Sequence, residues 1–235
     1  GLKKEELPEM ARAYGHAVNL AREAGFDAVE IHAGHGYLIS QFLSPYTNRR
    51  KDCFGGSLEN RMHFMDMVMQ EVMKAAGTDM AVLVKVNMRD GFRGGMEMDE
   101  TMQVAKRLEQ SGAHALVLSG GFVSKAPMYV MRGQMPIHSM THYMNCWWLK
   151  YGVRMVGKWM IPTVPFKEAY FLEDALKFRA EIKMPLVYVG GLVSREKIDE
   201  VLNDGFEAVQ MARALLNEPG FVNRMREEEK AICNC

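Results

Sequence analysis

The residues best suited to chemistry stand in one short run, His32-Ala-Gly-His35-Gly-Tyr37. Two imidazoles three residues apart can point at a common acceptor, and each can donate a hydrogen bond to a carbonyl oxygen. The Tyr37 phenol can give up a proton to a strong base beside it. As a bare pattern the same run reads equally well as structural or surface histidines. Lys85 lies inside a strand-like run, Ala81-Val-Leu-Val-Lys85-Val-Asn87. A charge there is costly unless it has a partner, so Lys85 either serves a site or snorkels to the strand end. Further along stand Gly190-Gly191 and Ala212-Arg213. Glycines let a backbone approach a ligand closely, and an arginine adds a charge-assisted bond to phosphate oxygens. Ser119-Gly120-Gly121 is of the same kind and reads as a site or as a plain turn.

These groups need elements to position them, and the chain has a regular grammar. Apolar residues at helical spacing fill residues 5–24, 58–76, 99–111, 171–181, 195–203 and 215–230, the last broken near Pro219-Gly220. Gly25, Gly77, Gly112 and Gly205 stand where helices stop. Short apolar runs alternate with them at 26–32, 81–87, 115–119, 186–189 and 208–211. Such runs between amphipathic helices predict a parallel sheet covered by helices. No G-x-G-x-x-G fingerprint follows the first strand, as a nucleotide-binding doubly wound sheet would carry. The reactive residues instead follow successive strand ends, which predicts α/β architecture of the (β/α)8 TIM-barrel type. Phosphate sites in such barrels form after the last two strands, where Gly190-Gly191 and Ala212-Arg213 fall. Five βα units are visible, so the expectation is one partial barrel domain over residues 1–235. Residues 121–167 are weakly periodic and rich in Met, Pro and aromatics, and are expected to form an excursion over the active-site face. Local helix is expected at 144–156, with Tyr129, Trp147, Trp148 and Trp159 shaping a pocket.

The run after Tyr37 makes the reading specific. Gly25-Phe-Asp-Ala-Val-Glu-Ile-His32-Ala-Gly-His35-Gly-Tyr37-Leu-Ile-Ser-Gln-Phe-Leu-Ser-Pro45, followed by Asn48-Arg-Arg-Lys-Asp52-Cys-Phe-Gly-Gly-Ser-Leu-Glu59-Asn-Arg61, resembles the signature of the Old Yellow Enzyme / NADH:flavin oxidoreductase family. The likeness extends through the later strands and is weaker over 121–167. It implies that strands four to eight of the family's barrel are present here. It also implies FMN, with NADH or NADPH as hydride donor, and reduction of the activated C=C bond of an α,β-unsaturated carbonyl or acyl compound. On that likeness His32 and His35 match the donors to the substrate carbonyl, where hydrogen bonds stabilise developing enolate charge. Tyr37 matches the proton donor to the opposite face. Lys85 stands where the family usually has Arg against the N1/C2-oxygen edge of the flavin. The charge is kept and the bidentate fork is lost. Gly190, Gly191, Ala212 and Arg213 match the phosphate loop, with Ala212 where Gly is commoner. Asp52, Glu59 and Arg61 are expected to form ion pairs that shape the signature loop.

Bulk properties exclude other classes. Lys plus Arg and Asp plus Glu balance at 29 each over 235 residues, so no basic excess points to nucleic acid and no partner of that kind is expected. No apolar run approaches a membrane span, and no membrane partner is expected. Four cysteines are too few for a disulfide scaffold, which favours a cytoplasmic setting. Cys233 and Cys235 supply an iron–sulfur site only if the chain continues past Cys235. Twenty-one methionines, among them Met62, Met65, Met69 and Met73, read as core filling. The chain opens on Gly1 in what reads as a mid-domain helix. Five strands leave a sheet edge open, so a missing N-terminal segment or a homo-oligomer is expected. Two rival functions remain: a flavin-free fragment of such an enzyme, and a metal-dependent barrel hydrolase using His32 and His35. The hydrolase needs a third ligand that the later strand ends do not offer, and no metal is expected.

Overall fold

The computed structural model describes residues 1–133, 136–160 and 163–234, with side chains left aside at 158–160. Cys235 and the Trp159 side chain therefore lie outside the described residues. A 3-10 turn (Lys4–Glu6) leads into α1 (Leu7–Glu23), with Pro8 in its first turn, where the missing N–H goes unneeded. Then follow β1 (Ala28–Ala33), α2 (Leu38–Leu43), α3 (Leu58–Ala76), β2 (Ala81–Asn87), α4 (Met98–Gln110) and β3 (Ala115–Ser119). The excursion holds α5 (Pro127–Met131), α6 (Ile137–Met140) and α7 (Trp147–Met160). The chain returns through α8 (Leu172–Glu181), β4 (Leu186–Val189), α9 (Arg195–Asn203), β5 (Ala208–Gln210), α10 (Arg213–Asn217) and α11 (Phe221–Glu227). Side chains fix some starts: Ser57 accepts from the Asn60 amide and Ser194 from the Lys197 amide.

All strand pairs are parallel and the order is β1-β2-β3-β4-β5. A doubly wound sheet reverses order at a switch point, and this one does not. It curls instead. Gln210 on β5 donates to Glu30 on β1, so the two outer strands face each other across the concave side. That is part of a (β/α)8 barrel, with β1 and β5 each keeping one edge free of strand pairing among the described residues.

The two faces differ in chemistry. Ile31, Val82, Val84, Leu116, Leu118, Leu186 and Tyr188 pack outward against Phe64, Val68, Met69, Val104 and Phe178 of the helices. Each such side chain contributes roughly 1.5–3 kcal/mol by leaving water. Met62, Met65 and Met69 are buried in that core, as expected of soft gap-fillers. Inward, a small apolar cluster of Ala115, Val117 and Val187, flanked by Leu83 and Val189, lines the barrel interior. Register aligns His32 with Lys85 and Val117, and Asn87 with Ser119, so the polar inner residues rise from this apolar floor toward the strand C-termini.

Candidate active site

His32 closes β1 and the chain turns at once. His35 adopts φ 59° and Gly36 φ 83°. The glycine is required: a Cβ there would come within 2.4 Å of the Phe122 ring. Asn87, buried at the end of β2, holds the turn. Its Oδ1 accepts from the His35 amide at 2.9 Å, and its Nδ2 donates to Asp90 at 3.0 Å. Asp90 in turn accepts from the Met96 amide at 2.8 Å. His35 Nε2 lies 2.8 Å from Ser119 Oγ at the end of β3.

The result gathers the three proposed catalytic side chains. The His32 ring lies 4.9 Å from that of His35 and 5.0 Å from that of Tyr37, centroid to centroid. Burial, the neighbouring His32 and the Lys85 charge push the His35 imidazole down to about 4. Burial, then Lys85, also lowers His32. Both rings are thus neutral at pH 7, so each carries one N–H and one lone pair. Tyr37 is exposed at the rim.

A cleft of about 520 Å³ opens beside them. His35, Lys85, Ser119, Gly190, Gly191, Ala212 and Arg213 all line it, together with Tyr170, Phe171 and Met211. His32 and Tyr37 are not in its wall and adjoin it through His35. Gly191 has φ 69°, and a Cβ there would meet the Tyr170 ring at 2.6 Å. Burial pushes the Tyr170 phenol up, and the neighbouring Arg213 and Arg132 charges partly counter that push. Volume and lining suit FMN. The cleft is within the roughly 300–1,000 Å³ of small-molecule sites, with an ammonium, a guanidinium and glycine backbone in one apolar-walled space.

Several contributors to the site carry no local motif in the sequence. Lys85 does not snorkel to water: its Nζ lies 2.6 Å from Glu30 of β1. Glu30 shares inward parity with His32, a signal available from alternation alone. Asn87 and Asp90 gave no motif. Arg132 stacks over Tyr170 at 4.6 Å, Tyr129 at 5.0 Å and Phe171 at 5.6 Å. Asp52, Glu59 and Arg61 do form ion pairs, but with Arg50, Arg107 and Glu100 rather than with one another. Among the described residues no three His, Cys, Asp or Glu side chains converge as metal ligands would, and no helix is long and apolar enough to cross a membrane.

Comparison with known proteins follows the same lines. The chain is 37% identical over 236 residues to the 4,4'-dithiodibutanoate disulfide reductase of Rhodococcus erythropolis, covering 99% of this chain and 58% of that protein. It is 26% identical to the NADH oxidase of Thermoanaerobacter brockii, over 94% of this chain and 30% of that one. Among solved structures, 2-naphthoyl-CoA reductase in complex with 2-naphthoyl-CoA superposes with TM-score 0.76 at 22% identity, covering 99% of this chain and 31% of that one. An Old Yellow Enzyme homologue from Zymomonas mobilis gives TM-score 0.69 at 22% identity, covering 100% and 56%. At those identities the structural likeness shows the fold. The chain spans 58% of the Rhodococcus relative's length and 30% of the Thermoanaerobacter one's. The family model for the NADH:flavin oxidoreductase / NADH oxidase family matches residues 1–231, and the chain belongs to that family, whose cofactors are FMN and a nicotinamide nucleotide.

Proposed function

We propose that this chain carries the substrate-activating side of an FMN-dependent, NAD(P)H-driven reductase acting on the C=C bond of an α,β-unsaturated carbonyl or acyl compound. The observation that carries the reading is the clustering of His32, His35 and Tyr37 at the end of β1, at the lip of a cleft that also holds Lys85, Gly190, Gly191, Ala212 and Arg213. Bound FMN would take a hydride from the nicotinamide and return it to the substrate's β-carbon. The chain's own residues do the rest. Neutral His35, held by Asn87 and Ser119, and neutral His32 offer N–H donors to the substrate oxygen without protonating it in the ground state. Tyr37 gives its proton to the α-carbon as negative charge develops there, and its exposure lets water restore that proton. Lys85 would sit at the flavin's pyrimidine edge, and Arg213 with the Gly190-Gly191 backbone at its phosphate. The apolar Tyr170, Phe171 and Met211 walls exclude water. The open edges of β1 and β5 would be completed by a further segment or a second copy.

Tyr37→Phe tests the roles. Turnover with an enone should fall by about 10²–10⁴-fold, while flavin reduction by NAD(P)H stays within a factor of a few. Equal slowing of both half-reactions would remove Tyr37 as proton donor. His32→Ala and His35→Ala should weaken binding of phenolate ligands, and unchanged affinity would remove the oxygen-anchoring role. An absorbance spectrum that shows no bound flavin in the presence of added FMN would favour the flavin-free fragment.

A second reading rests on the 37% identity to a disulfide reductase. The same site would then deliver a hydride to one sulfur of an organic disulfide, the S–S bond would break, and Tyr37 would protonate the departing thiolate. Turnover of 4,4'-dithiodibutanoate in preference to enones would favour it.

A further inference from the structure

Glu30 is the one carboxylate on the inner face of β1, β2 and β3, and nothing in the catalytic reading uses it. Both of its oxygens are engaged. Oε1 meets the Lys85 ammonium at 2.6 Å, and Oε2 accepts from the Gln210 side chain across the barrel. The Lys85 and Glu30 side chains are only 19% and 28% exposed, above a floor of Ala115, Val117 and Val187. A surface ion pair is loosely held and worth little. This one is fixed from β1, β2 and β5 at once, and Lys85 and Gln210 both line the cleft.

We propose that Glu30 is a positioning residue: braced by Gln210, its carboxylate fixes the Lys85 ammonium at the cleft wall and offsets part of its charge. The inference rests on the reading of Lys85 as the cation beside bound FMN. The titratable groups facing this spot are Lys85, Glu30, His32 and His35. The Lys85 charge disfavours protonation of both imidazoles and Glu30 favours it. One carboxylate therefore acts on two neighbours. It limits how strongly the site attracts negative charge, and it limits how far the imidazoles are driven toward neutrality. Without Glu30, Lys85 stands as a bare cation whose stem lacks its anchor, in the half-buried setting where an unpaired charge is costly.

The test uses the flavin-loaded full-length protein and three variants. Glu30→Gln keeps the shape and removes the charge. The equilibrium between bound flavin and a reference redox dye should move toward reduced flavin by about tenfold, the effect of one charge acting over roughly 10 Å at an effective dielectric near 20. In the same variant the His32 and His35 titrations, followed by NMR without substrate, should move to lower pH. Glu30→Asp should bring both readouts back toward the parent. Lys85→Met should move the dye equilibrium the opposite way. If Lys85→Met shifts that equilibrium while Glu30→Gln leaves it and both imidazole titrations unmoved, the Glu30 inference is overturned and the Lys85 reading stands. If neither variant moves the equilibrium, the Lys85 reading fails and the Glu30 inference goes with it.

Discussion

The signature loop over residues 44–61 and the excursion over 121–167 both flank the candidate site, yet they are built on different principles. In the signature loop several polar side chains are tied to more than one partner, although the buried Ser44 hydroxyl and Arg61 Nε meet none among the described residues. Buried Asn48 donates to the Phe42 and Phe54 carbonyls at 2.7 Å each. Arg50 forks onto Asp52, bonds the Leu2 carbonyl and lies over the Phe42 and Phe54 rings. Arg61, 3% exposed, bridges the Leu43 carbonyl and Glu100. Among the described residues the excursion has sparser ties to the rest of the fold. Val123 donates to the His35 carbonyl, Tyr170 to that of Val130, and Gly133 to that of Val164. Large aromatic side chains face outward instead: Tyr143, Trp147, Trp148 and Tyr151 are all more than half exposed. The excursion also carries Lys125, Arg132, Lys150, Arg154, Lys158 and Lys167 with no Asp or Glu among them. The contrast teaches that one loop is fixed by bonds at named side chains, while the other reaches the cleft wall through Val130, Met131 and Phe166 with its large aromatics turned out.

That contrast can be broken at its strongest point. Arg61→Ala removes a buried cation, strips the Leu43 carbonyl of its donor and leaves Glu100 without its partner. A loss of about 3–5 kcal/mol is expected in urea unfolding, and a loss below about 1 kcal/mol would show the loop to be far less specified than its bonds imply. Asn48→Ala orphans two carbonyls and should cost about 2–3 kcal/mol by the same measurement. Next comes His35, whose folded-state value of about 4 is below its ordinary 6.5. The unfolded chain therefore binds the proton more readily between those values. Stability is full above pH 6.5, falls as pH drops toward 4 and levels below it. Allowing for the ring's partial exposure, the span is about 1–2 kcal/mol. His35→Gln should flatten that stretch of a stability–pH curve, and an unchanged slope would assign the titration elsewhere. The smallest effect belongs to the excursion: Trp148→Ala should change unfolding stability by no more than about 0.5 kcal/mol. A larger loss would mean that the outward-facing ring is packed against something in solution.

The same division decided what could be read from residues alone. The βα alternation was legible because glycines punctuate it and the strands are continuous apolar runs. The break at Pro219-Gly220 separates α10 from α11 as its residues imply. In the excursion the expected helix over 144–156 is observed as Trp147–Met160, and the short helices Pro127–Met131 and Ile137–Met140 were not foreseen. Helices of four or five residues show too few turns for periodicity to register. At the site, residues next to one another in sequence were legible, as His32, His35 and Tyr37 show. Partners joined only by strand register or across the barrel were not. Lys85 meets Glu30 because β1 and β2 align, and Glu30 meets Gln210 because the sheet curls. Neither fact is local.

The bond from Gln210 to Glu30 has a mechanical side. An open parallel sheet with bare edges is a template on which copies can stack strand to strand, and flatness makes that easier. A side-chain tie spanning the hollow resists flattening, much as a bowstring keeps a bow bent. The edges of β1 and β5 that stay unpaired among the described residues are then kept out of a common plane by the tie between Gln210 and Glu30. A chain with Gln210→Leu should keep its helices and strands yet aggregate faster on concentration.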